Sequence, residues 1–141
     1  MNRKIGLILV SHGYFAKGAV DAAEMILGKQ EDIISISVLP GMDLGQVKDN
    51  ILKALDELKC ERGVLIITDI IGGTPSNAAA IIAAKRDDIL VLTGLNMPML
   101  LEFLSNREIT LNDIPNKICK IGKENILSLS EAIKSRLVNN L

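Results

Sequence analysis

The sequence predicts an α/β fold, an open, doubly wound, mostly parallel sheet of order 2-1-3-4 with helices on both faces and a short C-terminal edge strand. Three observations point there. Runs rich in Ile, Val and Leu occur at 5–10, 33–39, 64–68 and 89–92. They are apolar at consecutive positions, as strands are when helices cover both faces. Between them the apolar spacing changes to three and four, the period of a helix. Strand and helix then alternate four times, the pattern of a parallel sheet joined by right-handed crossovers. With 141 residues, one domain spanning 1–141 is expected.

Each element has its own signature. The first strand runs into Ser11-His12-Gly13. Phe15, Ala19, Ala22, Ala23 and Ile26 form the stripe of the first helix, and Gly28 is placed to end it. Pro40-Gly41 turns the chain after the second strand, and Asp43 is the expected N-cap of the second helix. That helix carries Leu44, Val47, Ile51, Leu55 and Leu58 on one face, with Lys48, Asp49, Lys53, Asp56 and Glu57 toward water. Thr74-Pro75 opens a third helix through 78–84, apolar almost all round until Lys85. Such a helix is buried on more than one side, either at a subunit interface or wedged within the monomer. A fourth begins near Pro98 and carries Met99, Leu100, Phe103 and Leu104. Beyond residue 110, Leu111, Ile114, Ile118 and Ile121 fit a helix ending at Gly122. Residues 125–130 fit the short edge strand, and Ile133 and Leu137 a last helical turn or two.

Composition removes several classes of function. Sixteen basic against 17 acidic residues leave a net charge of −1, which gives no counterion-release handle for nucleic acid. Tyr14, Phe15 and Phe103 are the only aromatics, too few and too scattered to stack bases. Mean hydropathy is high at +0.31. Yet the apolar runs are far shorter than the about 20 residues that span a bilayer, and none resembles a signal peptide. A cytoplasmic protein without direct membrane insertion is expected. Cys60 and Cys119 sit in no CxxC or CxH pattern, so they fit a reducing compartment and no structural zinc.

The chemistry-bearing positions lie at strand ends. His12 is the only histidine. A lone histidine beside an apolar run is ordinarily a half-buried residue without a role, but open α/β sheets gather ligands outside the strand carboxyl ends, where the strand order reverses. In the order 2-1-3-4 that crevice lies between strands one and three. His12 and Asp69, which follows the third strand, then emerge side by side. A carboxylate beside an imidazole fixes its tautomer and leaves the other ring nitrogen as a directed nucleophile. Gly72 and Gly73 allow close backbone approach. Thr74 suits an N-cap and Pro75 the first helical position, which aims the amides of Ser76 and Asn77 at an anion, phosphate above all. No Walker A motif, GxGxxG or GxSxG is present, and no acidic cluster for Mg²⁺. The group describes a phosphorylatable histidine with a preformed anion cradle, with no metal or cofactor called for.

These residues resemble a known family. Val10-Ser11-His12-Gly13, Pro40-Gly41, Asp69 with Gly72-Gly73-Thr74-Pro75-Ser76-Asn77, and Asn96-Met97-Pro98-Met99 are similar to the IIA component of the mannose family of the bacterial sugar phosphotransferase system (PTS). The similarity extends from residue 3 to about residue 130. It implies that His12 is phosphorylated by HPr and passes the phosphoryl group to a histidine of a separate IIB component, which serves a membrane IIC/IID complex. It implies that Asp69 holds the imidazole and that Thr74 faces the phosphoryl group. It also implies a homodimer in which 125–130 is an antiparallel edge strand that crosses to the partner's sheet, with the third helix as interface. Ile71 and Ser76 depart from members that carry Trp and Phe there, which alters the rim where partners dock. The transported sugar is not encoded in these residues. The related phosphocarrier subunit of dihydroxyacetone kinase and a phosphorylation-dependent regulatory binding module are the alternatives. A flavodoxin-like redox domain is poorly served by three aromatics.

Overall fold

A computed structural model describes residues 4–139, with side chains as far as 136; the first three and last two residues of the expected domain lie outside it. Four strands, β1 (Gly6–His12), β2 (Ile33–Val38), β3 (Val64–Thr68) and β4 (Ile89–Thr93), form one sheet in the order β2-β1-β3-β4. All three pairings are parallel. The strand order therefore reverses between β1 and β3, as the sequence predicts. Helices α1 (Phe15–Leu27), α2 (Leu44–Leu58), α3 (Thr74–Ala83) and α4 (Met97–Leu104) follow the strands in turn. A 3-10 turn (Leu111–Asp113), α5 (Ile114–Glu124) and α6 (Leu129–Asn139) complete the chain.

Strand alternation divides the core into two layers. Leu7, Leu9, Leu65 and Ile67 face α1, α4 and α5, joining Phe103, Leu100, Ile114 and Ile118. Ile8, Val10, Val64 and Ile66 face α2 and α3, joining Val47, Ile51, Leu55, Ala78 and Ile82. The central strands β1 and β3 are thus covered on both sides, which is why Leu7–Val10 and Val64–Ile67 are apolar without a break. Asp43 caps α2 through a reciprocal pair with Gln46, and Gly28 ends α1 at φ 84°. At the opposite end of the sheet, buried Arg107 donates to the carbonyls of Ile5, Glu31 and Asp32.

Several expectations need correction. On α1 the buried face is Ala16, Ala19 and Ala23, while Phe15 and Ile26 are exposed. Alanine lets the helix lie close to the sheet, and the larger side chains turn outward. The helix expected to end at Gly122 continues to Glu124 with Gly122 buried inside it, and a separate 3-10 turn precedes it. The antiparallel edge strand at 125–130 is not formed in this chain, and the outer edge of β4 has no partner strand among the described residues. Ser128 instead starts a helix. Its hydroxyl accepts the Glu131 N–H and its carbonyl the Ala132 N–H, so it caps α6 and draws Leu129 and Ser130 into the helix. The Ser-x-x-Glu spacing is the sequence signal of that start. Exposure runs through 125–136, with Ile126, Leu127, Leu129 and Ile133 uncovered.

Candidate functional site

His12 is the last residue of β1, in register with Val38, and the Gly13 amide donates to the Val38 carbonyl beyond it. Gly13 then turns the chain at φ 54°, a conformation glycine adopts without strain. Ser11, fully buried, accepts the Ala16 N–H at 2.7 Å and ties the start of α1 to the strand end. The imidazole is left at the surface with its side chain 56% exposed.

Asp69 follows β3 and meets His12 across the crevice. Its Oδ2 accepts the His12 backbone N–H at 2.9 Å and lies 2.7 Å from Nδ1, while Oδ1 accepts the Ile70 N–H at 2.9 Å. Burial pushes the carboxyl pKa up. The hydrogen bonds from the His12 amide, the imidazole and the Ile70 amide outweigh it, aided by attraction to His12, and hold the group below the ordinary carboxylate value. An ionised carboxylate can only accept, so the neutral imidazole carries its proton on Nδ1 and presents a lone pair at Nε2.

The glycine segment closes on that lone pair. Gly72 turns at φ 86°, and Gly73 lies against the ring, where a Cβ would stand 2.8 Å from Cε1 and 3.3 Å from Nε2. Gly73, in extended conformation, is the N-cap of α3, with no side chain capping the helix. Thr74 is therefore the first helical residue and not the cap, which moves Pro75 to the second position. The Asn77 amide donates to the Gly73 carbonyl at 3.0 Å and is not available to an anion. The amides without an intrahelical acceptor are those of Gly73, Thr74 and Ser76. Together with the helix dipole they form a place for negative charge beside Nε2.

Two features escape the sequence reading. Ser11 is the hidden cap of α1. A set of hydroxyls, Thr68, Thr93 and Ser76, also links β3, β4 and α3 beneath the site. Parallel register pairs Thr68 with Thr93 at the two strand ends, and the sequence signal was a threonine closing each strand. Around the imidazole the rim is apolar and exposed, with Tyr14, Phe15, Ile70 and Ile71 all facing solvent. Among the described residues, His, Cys, Asp and Glu side chains form no group of three that could hold a metal ion.

Residues 6–119 match the family EIIA-man, described as the PTS system fructose IIA component. The chain is 31% identical over 131 residues to the PTS system fructose-specific EIIA component of Bacillus subtilis, covering 92% of this chain and 90% of that protein. It is 36% identical over 126 residues to the sorbose-specific EIIA component of Lacticaseibacillus casei, covering 89% and 91%. The crystal structure of a phosphotransferase system component EIIA from Streptococcus agalactiae superposes with a TM-score of 0.82 at 30% identity, covering 90% of this chain and 98% of that one. A reversal point between β1 and β3 with His12 and a glycine-lined helix start upon it thus sits within a sequence and a fold shared over nearly the full length of those proteins, and this chain belongs to the EIIA-man family of phosphotransferase-system IIA components.

Proposed function

We propose that this IIA component is a phosphocarrier in which His12 accepts a phosphoryl group from phospho-HPr on Nε2 and donates it to a histidine of a IIB component. The observation that carries the reading is the imidazole held through Nδ1 by Asp69 at 2.7 Å with its opposite edge against Gly73. In each transfer the phosphorus–nitrogen bond of the donor histidine breaks as a phosphorus–nitrogen bond to the acceptor forms. The Nδ1 proton stays on His12, where Asp69 balances the charge that the ring acquires as it becomes a phosphoramidate. The amides of Gly73, Thr74 and Ser76 face the phosphoryl oxygens, and their charge-assisted hydrogen bonds stabilise the dianion and the transition state alike. Because the same group must arrive and leave, the cradle uses amides and a dipole in place of a strong cation.

Partners dock and release, which calls for a small contact, and the exposed Tyr14, Phe15, Ile70 and Ile71 supply one near the imidazole. The chain acts as a homodimer in this reading. The uncovered Ile126, Leu127, Leu129 and Ile133, together with the open edge of β4, are the surface a second copy would cover. No helix among the described residues is long and apolar enough to cross a membrane; sugar passage falls to IIC and IID components reached through IIB. Cys60 and Cys119 are thiols and not a disulfide, which fits a cytoplasmic setting.

Labelling with phospho-HPr tests the assignment. The wild-type chain takes up one acid-labile phosphoryl group and His12→Ala takes up none while keeping its circular dichroism spectrum. Label retained by His12→Ala overturns the reading. Adding IIB and, separately, dihydroxyacetone kinase to the labelled chain shows which acceptor drains it.

A further inference from the structure

We propose that Ser76 is a positioning residue for phosphoryl transfer, acting through its side-chain hydroxyl on the Ile70 peptide and thereby on Asp69 and His12. The inference rests on the phosphocarrier reading of His12.

The Ser76 Oγ–H donates to the Ile70 carbonyl at 2.5 Å. A carbonyl can only accept, so the single hydroxyl proton of Ser76 is committed there. The N–H of the same residue, Ile70, donates to Asp69 Oδ1 at 2.9 Å. The other carboxylate oxygen takes both His12 donors. Ile70 is thus gripped from α3 on one side and from the acid on the other. Ile70 is 57% exposed, so hydrogen bonds and not core packing fix its place.

Ser76 is anchored from behind by two strand-end hydroxyls. Its Oγ lies 2.6 Å from Thr68 Oγ1 and 3.3 Å from Thr93 Oγ1, and those two hydroxyls are 2.8 Å apart. Thr68 is fully buried at the end of β3, opposite Thr93 on β4. The first turn of α3 is therefore fastened to two strand ends and to the loop at 70–73 at once. A third-position side chain commonly turns back to its own helix start; this one reaches out of the helix into the preceding loop. The loop and the turn carry the amides that have no intrahelical acceptor, with Gly73 against the Nε2 edge of the ring, and the loop begins at the acid that orients Nδ1. One hydroxyl sets the spacing between the two halves of the site, and a displacement of about 1 Å in such a site can cost roughly a hundredfold in rate.

The test compares Ser76→Ala, Ser76→Cys and Ser76→Thr in the full chain. Rates come from single-turnover labelling by phospho-HPr at 25 °C, and structure from ¹H–¹⁵N spectra of the unphosphorylated proteins. Ser76→Ala is expected to slow the first-order transfer step at least tenfold, with the HPr concentration for half-saturation unchanged, and to shift the His12 and Ile70 amides, both of which donate to Asp69. Ser76→Thr keeps the hydroxyl and should recover most of the rate. Ser76→Cys keeps the volume with a weak donor, should stay slow, and carries the comparison if the alanine chain does not fold. Labelling of a folded Ser76→Ala or Ser76→Cys chain at the wild-type rate overturns the proposal, as does slow labelling with the two amides unmoved. A wild-type chain that takes no label overturns the phosphocarrier reading and this proposal with it. A labelled wild type beside an equally fast alanine chain overturns this proposal alone.

Discussion

Gly73 stands so close to His12 that a Cβ on it would lie 2.8 Å from Cε1 of the imidazole. The backbone at Gly73 is extended, at φ −94°, so an alanine there incurs no conformational strain. Its methyl group crowds only the ring, since Pro75 Cδ stands at an ordinary contact distance of 3.6 Å. Gly73→Ala is therefore expected to rotate or displace His12 and to slow labelling by phospho-HPr at least tenfold. Stability should fall by no more than about 1 kcal/mol, the scale of an N-cap change. Labelling kinetics beside urea denaturation separate the two quantities, and a normal rate would mean that the ring can yield without loss.

Asp69→Asn keeps the size of the side chain and removes its charge. An amide can accept at one atom only, so the His12 amide, Nδ1–H and Ile70 amide now compete for fewer acceptors. The imidazole loses its fixed tautomer, and removing such an orienting carboxylate costs roughly 10²–10⁴ in rate. Transfer should slow by that order while the chain stays folded at 25 °C. An Asp69 whose role was only to satisfy the strand end would show the reverse, a lowered melting temperature and an unchanged transfer rate.

The same carboxylate predicts a pH dependence. The folded chain holds the Asp69 pKa below its ordinary value of 3.8, so its stabilising contribution is complete above that value. It is lost as pH falls through the folded pKa, where the proton binds the unfolded chain first. The stability difference between wild type and Asp69→Asn, measured by urea denaturation, should hold level above about pH 5. It should shrink steadily as the pH falls below the unfolded value. A difference independent of pH would remove the ionised carboxylate from the account.

The parts of this site that depend on backbone period were legible in the sequence. Consecutive apolar positions gave four strands, and the strand order placed His12 beside Asp69 before any distance was known. Boundaries were less legible where side chains compete for the same backbone. Thr74 and Gly73 are both acceptable caps, and the close approach of the ring to residue 73 decides between them. Asn77 lost its place in the cradle because its amide closes the first turn of α3. On α1, period alone could not say whether the face with Phe15 or the face with Ala16 lies on the sheet, and the small residues won. The segment at 125–130 has strand-like Ile126 and Leu127, but the cap at Ser128 acts locally and needs no partner. The hydroxyls of Thr68, Thr93 and Ser76 meet only once register is fixed, a long-range fact that local pattern does not contain.

Arg107 gives a prediction at the far end of the sheet. It is 5% exposed, stacks 5.8 Å from the centre of the Phe103 ring, and donates to the carbonyls of Ile5, Glu31 and Asp32. Burial pushes its pKa down, with Asp32, Cys60 and Glu31 pulling the other way, and the charge is kept because the carbonyl dipoles converge on it. Arg107→Met fills much of the volume but takes the guanidinium donors away from the Ile5 and Glu31 carbonyls, while the Asp32 carbonyl keeps the Leu7 N–H, a loss of about 2 kcal/mol or more. The starts of β1 and β2 would loosen, while His12, Asp69 and α3 belong to the opposite edge. The expected result is a clear drop in the urea midpoint with labelling by phospho-HPr within about twofold of wild type, since well-separated sites behave nearly independently. A large loss of transfer in a chain that is still folded would show that strain at the start of β1 reaches His12 along the strand, and the separation of scaffold from site would have to be given up.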